Sequence, residues 1–233
     1  MIPTETMSGS NRRQMTNTHL YKPNLVIVIS GPSGSGKSTV IDALCEADPT
    51  LKLSVSATTR NPRRGEVNGV DYHFLSKAEF EAHIQRGSFL EWAAYGDNLY
   101  GTLKSEIATA REARKDAILE IEVKGSLQIR AQAQDLAPAR NVLIFIIPSS
   151  FAILEKRLRR RQTESEKELE QRLDIAKSEV LQIQHYDYWV SNPQGKIQRA
   201  VAQIQAIITA ERSRIDDELI ETINPLFGVD SVD

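Results

Sequence analysis

An unbroken apolar run, Leu25-Val-Ile-Val-Ile29, leads directly into Gly31-Pro-Ser-Gly-Ser-Gly36-Lys37-Ser38, and the chain then reads as helix from near Lys37. A strand without polar alternation needs apolar cover on both faces, the situation inside a parallel sheet flanked by helices. Ala117 to Ile121 and Val142 to Ile147 repeat the pattern, each followed by a helical segment. Lys52 to Ser56 and Asp187 to Ser191 are weaker strand candidates. The expected fold is therefore α/β, with roughly five core strands, an ordinary sheet size. Helical spacing is clearest at Ile197, Val201, Ile204 and Ile208, as for one buried face.

The octapeptide fits G-x-x-x-x-G-K-[ST] in full, with the strand before it and the helix after it that the motif requires. Gly31, Gly34 and Gly36 let the backbone bend so that N–H groups around Ser33 and Ser35 converge on phosphate oxygens. The following helix adds the positive end of its dipole. Lys37 supplies a full charge to the β- and γ-phosphates, and Ser38 a hydroxyl suited to Mg²⁺, with Thr39 completing the candidate set. A dinucleotide fingerprint fails, because Gly34-Ser-Gly36-Lys-Ser-Thr39 lacks the third glycine. Alone, the loop implies a nucleoside triphosphate and nothing narrower.

The 233 residues, a length for one domain with insertions, include 29 Lys and Arg against 31 Asp and Glu, a formal charge of −2. No global positive field exists to hold a long nucleic acid, so any anion needs a local cluster. The single cysteine, Cys45, forms no internal disulfide, and the four histidines lack metal-ligand spacing. A reduced, cytoplasmic location is expected. No apolar run approaches the roughly 20 residues of a membrane span. Residues 1–22 are polar and without an apolar h-region, and are expected to be a flexible tail.

Two stretches break the strand–helix alternation. Ser54 to Leu103 is punctuated by Asn61-Pro62, Gly65, Asn68-Gly69, Gly87 and Gly96, and reads as a small inserted mixed subdomain. Arg60 and Arg63 flank its proline turn, and each guanidinium fork can donate two parallel bonds to a phosphate. The hydroxyls of Tyr72 and Tyr100 can complete the oxygen shell. A solvated basic loop accounts for the same residues. The second stretch, Ser149 to Arg172, sets Arg157, Arg159, Arg160, Arg161 and Arg172 among glutamates.

In order and spacing, several segments together resemble guanylate kinase over roughly Leu25 to Ile208: Gly31 to Ser38; Ser54-Val-Ser-Ala-Thr-Thr-Arg60-Asn-Pro-Arg63-Arg-Gly-Glu-Val-Asn-Gly-Val-Asp-Tyr72; Phe89-Leu-Glu91-Trp92-Ala; and Tyr100-Gly-Thr102. The resemblance implies a three-layer P-loop NTPase fold with a parallel core sheet (23–53, 106–148, 179–210). It also implies an inserted nucleotide-monophosphate-binding subdomain (54–105), a mobile helical lid (149–178) and a C-terminal helix extension and tail (211–233). The implied reaction is transfer of the γ-phosphate of ATP to GMP, with Mg²⁺, in purine nucleotide metabolism and GMP recycling; dGMP is a candidate second acceptor, and the preference between the two is left open.

By the same resemblance Arg60, Arg63, Tyr72 and Tyr100 hold the GMP phosphate, and Ser56, Glu91 and Thr102 read guanine. For Glu91 the chemistry agrees independently: guanine offers adjacent N1–H and N2–H₂ donors to one carboxylate, whereas adenine presents an acceptor at N1. Arg161 and Arg172, with Arg157 next, fall to the transferring phosphate, and Asn192 to adenine. Glu120 and Glu122 share a strand face at a carboxyl edge, where they could hold Mg²⁺ through water, touch the guanine and ribose edge, or stand as plain exposed carboxylates. The chain departs from the family pattern at Glu122 (usually Asp), Lys124 (often Gln) and Gln162 (commonly Gly). Two rivals are a binding module that takes a phosphorylated peptide and a kinase for another nucleoside monophosphate. Beyond Arg212 the last helix is expected to continue and to fray after Pro225. Oligomeric state is left open.

Overall fold

The structure, a computed structural model, describes residues 25–132, 140–159, 166–215 and 217–227; the expected tail at 1–22 lies outside them. Along the chain run β1 (Leu25–Ser30), α1 (Lys37–Ala47), β2 (Leu51–Leu53), β3 (Ala57–Thr58), β4 (His73–Phe74), α2 (Lys77–Gln85), β5 (Phe89–Tyr95) and β6 (Asn98–Leu103). Then come α3 (Lys104–Glu112), β7 (Asp116–Glu120), α4 (Val123–Ala131), β8 (Arg140–Ile147), α5 (Phe151–Arg159), α6 (Glu166–Val180), a 3₁₀ turn (Leu181–His185), β9 (Tyr188–Ser191), α7 (Ile197–Arg212) and α8 (Asp217–Leu226). Pro23–Glu211 forms one unit; α8 belongs to a second.

The core is a five-stranded, all-parallel sheet in the order β2-β7-β1-β8-β9. All six residues of β1 are buried, as its unbroken apolarity demands at the sheet centre. Buried Val40, Ile41 and Leu44 of α1 follow Lys37 at i+3, i+4 and i+7, and Ala200, Val201, Ile204 and Ile208 of α7 form a similar stripe. Asp116, at the start of β7, accepts the Leu25 N–H at 2.9 Å, pairing a backbone donor at the head of the central strand. The chain leaves β1 for one side of the sheet and later fills the other, so a crevice opens at the carboxyl edge beside β1.

A second, four-stranded mixed sheet, β4-β3-β6-β5, is built from the expected insertion. It has its own small core, in which Phe80 stacks on Phe89 with ring centroids 4.3 Å apart. Ser76 starts α2 with a capping box: its hydroxyl accepts from Glu79 N, and Glu79 accepts in return from Ser76 N. Leu90 of β5 is buried in the main core with Val28, Leu119 and Ile129, which pins the insertion to the parallel sheet.

Three boundaries differ from the sequence reading. The strand expected at Lys52 to Ser56 is Leu51–Leu53, because after Ser54 N–H bonds Ile118 O the chain crosses to the second sheet. β7 stops at Glu120, with Ile121 beyond it. The last core helix ends at Arg212, and a separate helix, α8, includes Pro225 and ends one residue later. At that place the missing proline N–H costs only one bond of a closing turn. No helix among the described residues is long and apolar enough to cross a membrane.

Candidate active site

The Gly31–Ser38 loop follows the central strand at its carboxyl end, in the crevice. Gly36 closes it at φ 87° and ψ 30°, the left-handed region, and a Cβ there would lie 2.6 Å from Asn192 Nδ2. Lys37 is 8% exposed and its Nζ donates to Gly31 O at 2.6 Å, curled back on the loop. Gly34 packs against Leu158 of α5, and Thr39 is exposed on α1.

Distant segments hold the loop. Ser35 O accepts from Arg157 Nη1 at 2.8 Å and from Asn192 Nδ2 at 2.8 Å, while Arg157 Nη2 donates to Asn192 O at 3.0 Å. Both residues therefore brace the loop: the arginine fork is occupied by two carbonyls, and the asparagine side chain is turned to the loop. Burial lowers the Arg157 pKa. Arg172 Nη2 donates to Ser33 Oγ at 2.6 Å. Two turns along α6, Glu179 accepts from the Ser33 backbone N–H, and burial raises its pKa. Arg159 pairs with Glu155 and Glu166. Arg161 and the Gln162 departure lie outside the described residues.

At the neighbouring strand end, Ser38 Oγ donates to Glu120 Oε1 at 2.8 Å. Burial raises the Glu120 pKa, against the pull of the Ser38 bond and the Lys37 charge. Glu122 is not on the strand: it occupies the N-cap position of α4, so strand alternation does not set its direction.

On the inserted sheet the structure brings Arg60, Tyr72 and Tyr100 together. Arg60 Cζ lies 5.3 Å from the Tyr72 ring centroid, and the two tyrosine rings meet edge to face at 6.2 Å. Both terminal nitrogens of Arg60 donate to Glu66, at 2.9 and 3.0 Å. Arg63 is exposed and joins this group through its backbone N–H, 2.6 Å from Glu66 Oε2. Burial raises the Tyr72 pKa, helped by Tyr100 and by Glu120.

Glu91 and Thr102 face each other in the β5–β6 register, and Thr102 Oγ1 donates to Glu91 Oε1 at 2.8 Å. Glu91 is only 7% exposed, and that burial pushes its pKa up to about 7, against the Thr102 bonds. Gln128 of α4 clasps the next residue: its Oε1 accepts from Trp92 N at 3.3 Å and its Nε2 donates to Trp92 O at 2.9 Å. Half-buried Ser56 stands where the chain crosses between sheets, its carbonyl bonded to His73 N–H. Sequence reasoning gave no role to Glu66, Gln128 or Glu179. Glu66 does lie inside the motif quoted for the resemblance, and Glu179 left a trace in its spacing, since seven residues from Arg172 place both on one helix face.

A Gly31–Ser38 phosphate-binding loop at the carboxyl end of the central strand of a parallel sheet, with an arginine–tyrosine cluster on an inserted sheet, defines a P-loop protein. The family model for guanylate kinase matches residues 23–211. A guanylate kinase of Clostridioides difficile is 43% identical over 194 residues, covering 83% of this chain and 91% of that protein. One of Halalkalibacterium halodurans is 43% identical over 206 residues, 88% of this chain and 97% of that protein. The crystal structure of guanylate kinase from Anaplasma phagocytophilum superposes with a TM-score of 0.70 at 27% identity, covering 91% of this chain and 99% of that one. The chain belongs to the guanylate kinase family.

Proposed function

We propose that the chain transfers the γ-phosphate of ATP to GMP, giving ADP and GDP, with each nucleotide held in one of the two clusters. The observation that carries the base assignment is Glu91, a carboxylate buried beside Thr102 on the sheet that also bears Arg60, Tyr72 and Tyr100. An ionised Glu91 accepts guanine N1–H and N2–H₂ together, and adenine would leave it facing an acceptor. Ser56 lies at the edge of the same sheet and is assigned to the base with Thr102. Arg60, Arg63, Tyr72 and Tyr100 take the GMP phosphate. Glu66 holds the Arg60 fork in place until that phosphate arrives.

The ATP phosphates occupy the loop from Gly31 to Thr39, where backbone N–H groups and the α1 dipole meet them. Lys37 exchanges the Gly31 carbonyl for phosphate oxygen. Arg172 likewise turns from Ser33, and Arg161 of the lid joins it; Arg157 and Asn192 keep the loop in shape beside the adenine end. Ser38 and Glu120 place hard oxygen donors side by side, the set that Mg²⁺ favours, with Glu122 next to them. When bound there, the ion offsets phosphate charge. The GMP phosphate is already anionic near neutral pH, so no residue need remove a proton. What the residues supply is alignment of two mutually repelling groups, worth roughly 7 to 11 kcal/mol where the geometry is right, and stabilisation of a loose transition state. Helices α5 and α6 form the lid that closes over the phosphates and excludes water, which otherwise would take the phosphoryl group. The lone cysteine fits a reducing, cytoplasmic setting.

The test is a product-identified transfer assay with ATP and each of GMP, AMP, CMP and UMP. GMP is expected to be the preferred acceptor, and Lys37→Ala to lower kcat by about 10² to 10³. Equal use of AMP, or undiminished turnover in the Lys37 variant, overturns the reading.

A further inference from the structure

We infer that Gly125, in the first turn of α4, determines base selectivity by leaving the space in which the Glu91 carboxylate stands. The inference rests on the reading of Glu91 as the guanine acceptor. Gly125 is buried, and its backbone is outside the left-handed region, so local conformation does not call for glycine. In a helix alanine is the better residue. The reason for glycine is proximity: a Cβ would lie 2.3 Å from Glu91 Oε2, 3.0 Å from Glu91 Cδ and 2.6 Å from Ile121 Cγ2.

Little around that point can yield. Ile121 is 4% exposed and Leu90 is 2% exposed, both in the main core. Gln128 fixes the β5 backbone to α4 through both polar atoms of its amide, so the strand cannot retreat from the helix. The group with freedom to move is the carboxylate. Turning it away from a methyl breaks the 2.8 Å bond from Thr102 and misaligns both oxygens with the two donors of guanine. Inosine monophosphate keeps N1–H and lacks the 2-amino group, so the preference for GMP over IMP reports directly on this alignment.

The experiment measures kcat/KM for GMP and IMP, KM for ATP and the melting temperature in the wild type, Gly125→Ala, Glu91→Gln and the double variant. Gly125→Ala is expected to lower the GMP-over-IMP ratio at least about tenfold through KM for GMP, with KM for ATP kept and the melting temperature lowered by the contact with Ile121. In the Glu91→Gln background the same change should add nothing further, since it acts through that carboxylate. A ratio unchanged in Glu91→Gln overturns the guanine reading itself. A ratio that collapses in Glu91→Gln but survives Gly125→Ala, or effects that add in full, overturns the role of Gly125 alone. Should Gly125→Ala not fold, Gly125→Ala with Ile121→Ala removes the core contact and keeps the one with the carboxylate; a GMP-over-IMP ratio in that pair equal to that of Ile121→Ala alone also overturns the role of Gly125.

Discussion

With Glu91 as the proposed guanine acceptor, a carboxylate whose pKa is pushed up to about 7 by burial ties guanine binding to pH. In the free protein Glu91 is mostly protonated below that value and ionised above it, while the guanine donors select the ionised form. GMP affinity is therefore expected to be level above pH 7 and to fall by up to about tenfold per pH unit below it. The GMP phosphate loses charge near pH 6 as well, so the quantity to measure is the difference in slope between wild type and Glu91→Gln by calorimetry. Equal slopes would remove Glu91 from the site. Arg60 permits a second test, because its fork makes two bonds to one carboxylate and lysine cannot replace that geometry. Arg60→Lys is expected to raise KM for GMP about tenfold or more and leave KM for ATP alone, read from steady-state kinetics. Glu91 and Arg60 could be singled out in the sequence because their motifs are contiguous. Arg157 and Asn192 were legible as positions but not as braces, since the Ser35 carbonyl that both grip is 122 and 157 residues away along the chain.

Among the elements, the insertion stands on a very small core, with Phe80 fully buried against Phe89. Phe80→Ala is expected to cost about 3 to 5 kcal/mol. The loss should show as weaker GMP binding and earlier proteolysis within 54–103, with ATP binding retained because the parallel sheet has its own core. Loss of both ligands together would mean that the two sheets fold as one unit. Continuous apolar runs announced three core strands, β1, β7 and β8, and left β2 and β9 as weaker candidates, whereas β3 and β4, two residues each, carry no periodicity at all. Their pairing is fixed by the register with β6 and by backbone bonds such as Leu75 N–H to Thr58 O. Only tertiary contacts could disclose them.

Across the whole 23–211 unit, one topological fact gathers the chemistry: β1 lies between β7 and β8, so the loop, Glu120 and the segment entering α5 all meet at one carboxyl edge. The insertion is anchored to the same sheet by the buried Leu90 and to α4 by the Gln128 clasp. In the proposed assignment, one nucleotide at the loop and one at the Arg60 cluster lie phosphate to phosphate. An adenosine and a guanosine joined through a chain of phosphates measure this most directly, because covalent linkage turns the second binding event into an intramolecular one. By titration calorimetry the linked compound is expected to bind one per chain, at least about 10²-fold tighter than ATP or GMP alone, and to lose that gain in Lys37→Ala and Arg60→Ala alike. Binding no tighter than ATP, or unaffected by the Arg60 change, would contradict the arrangement.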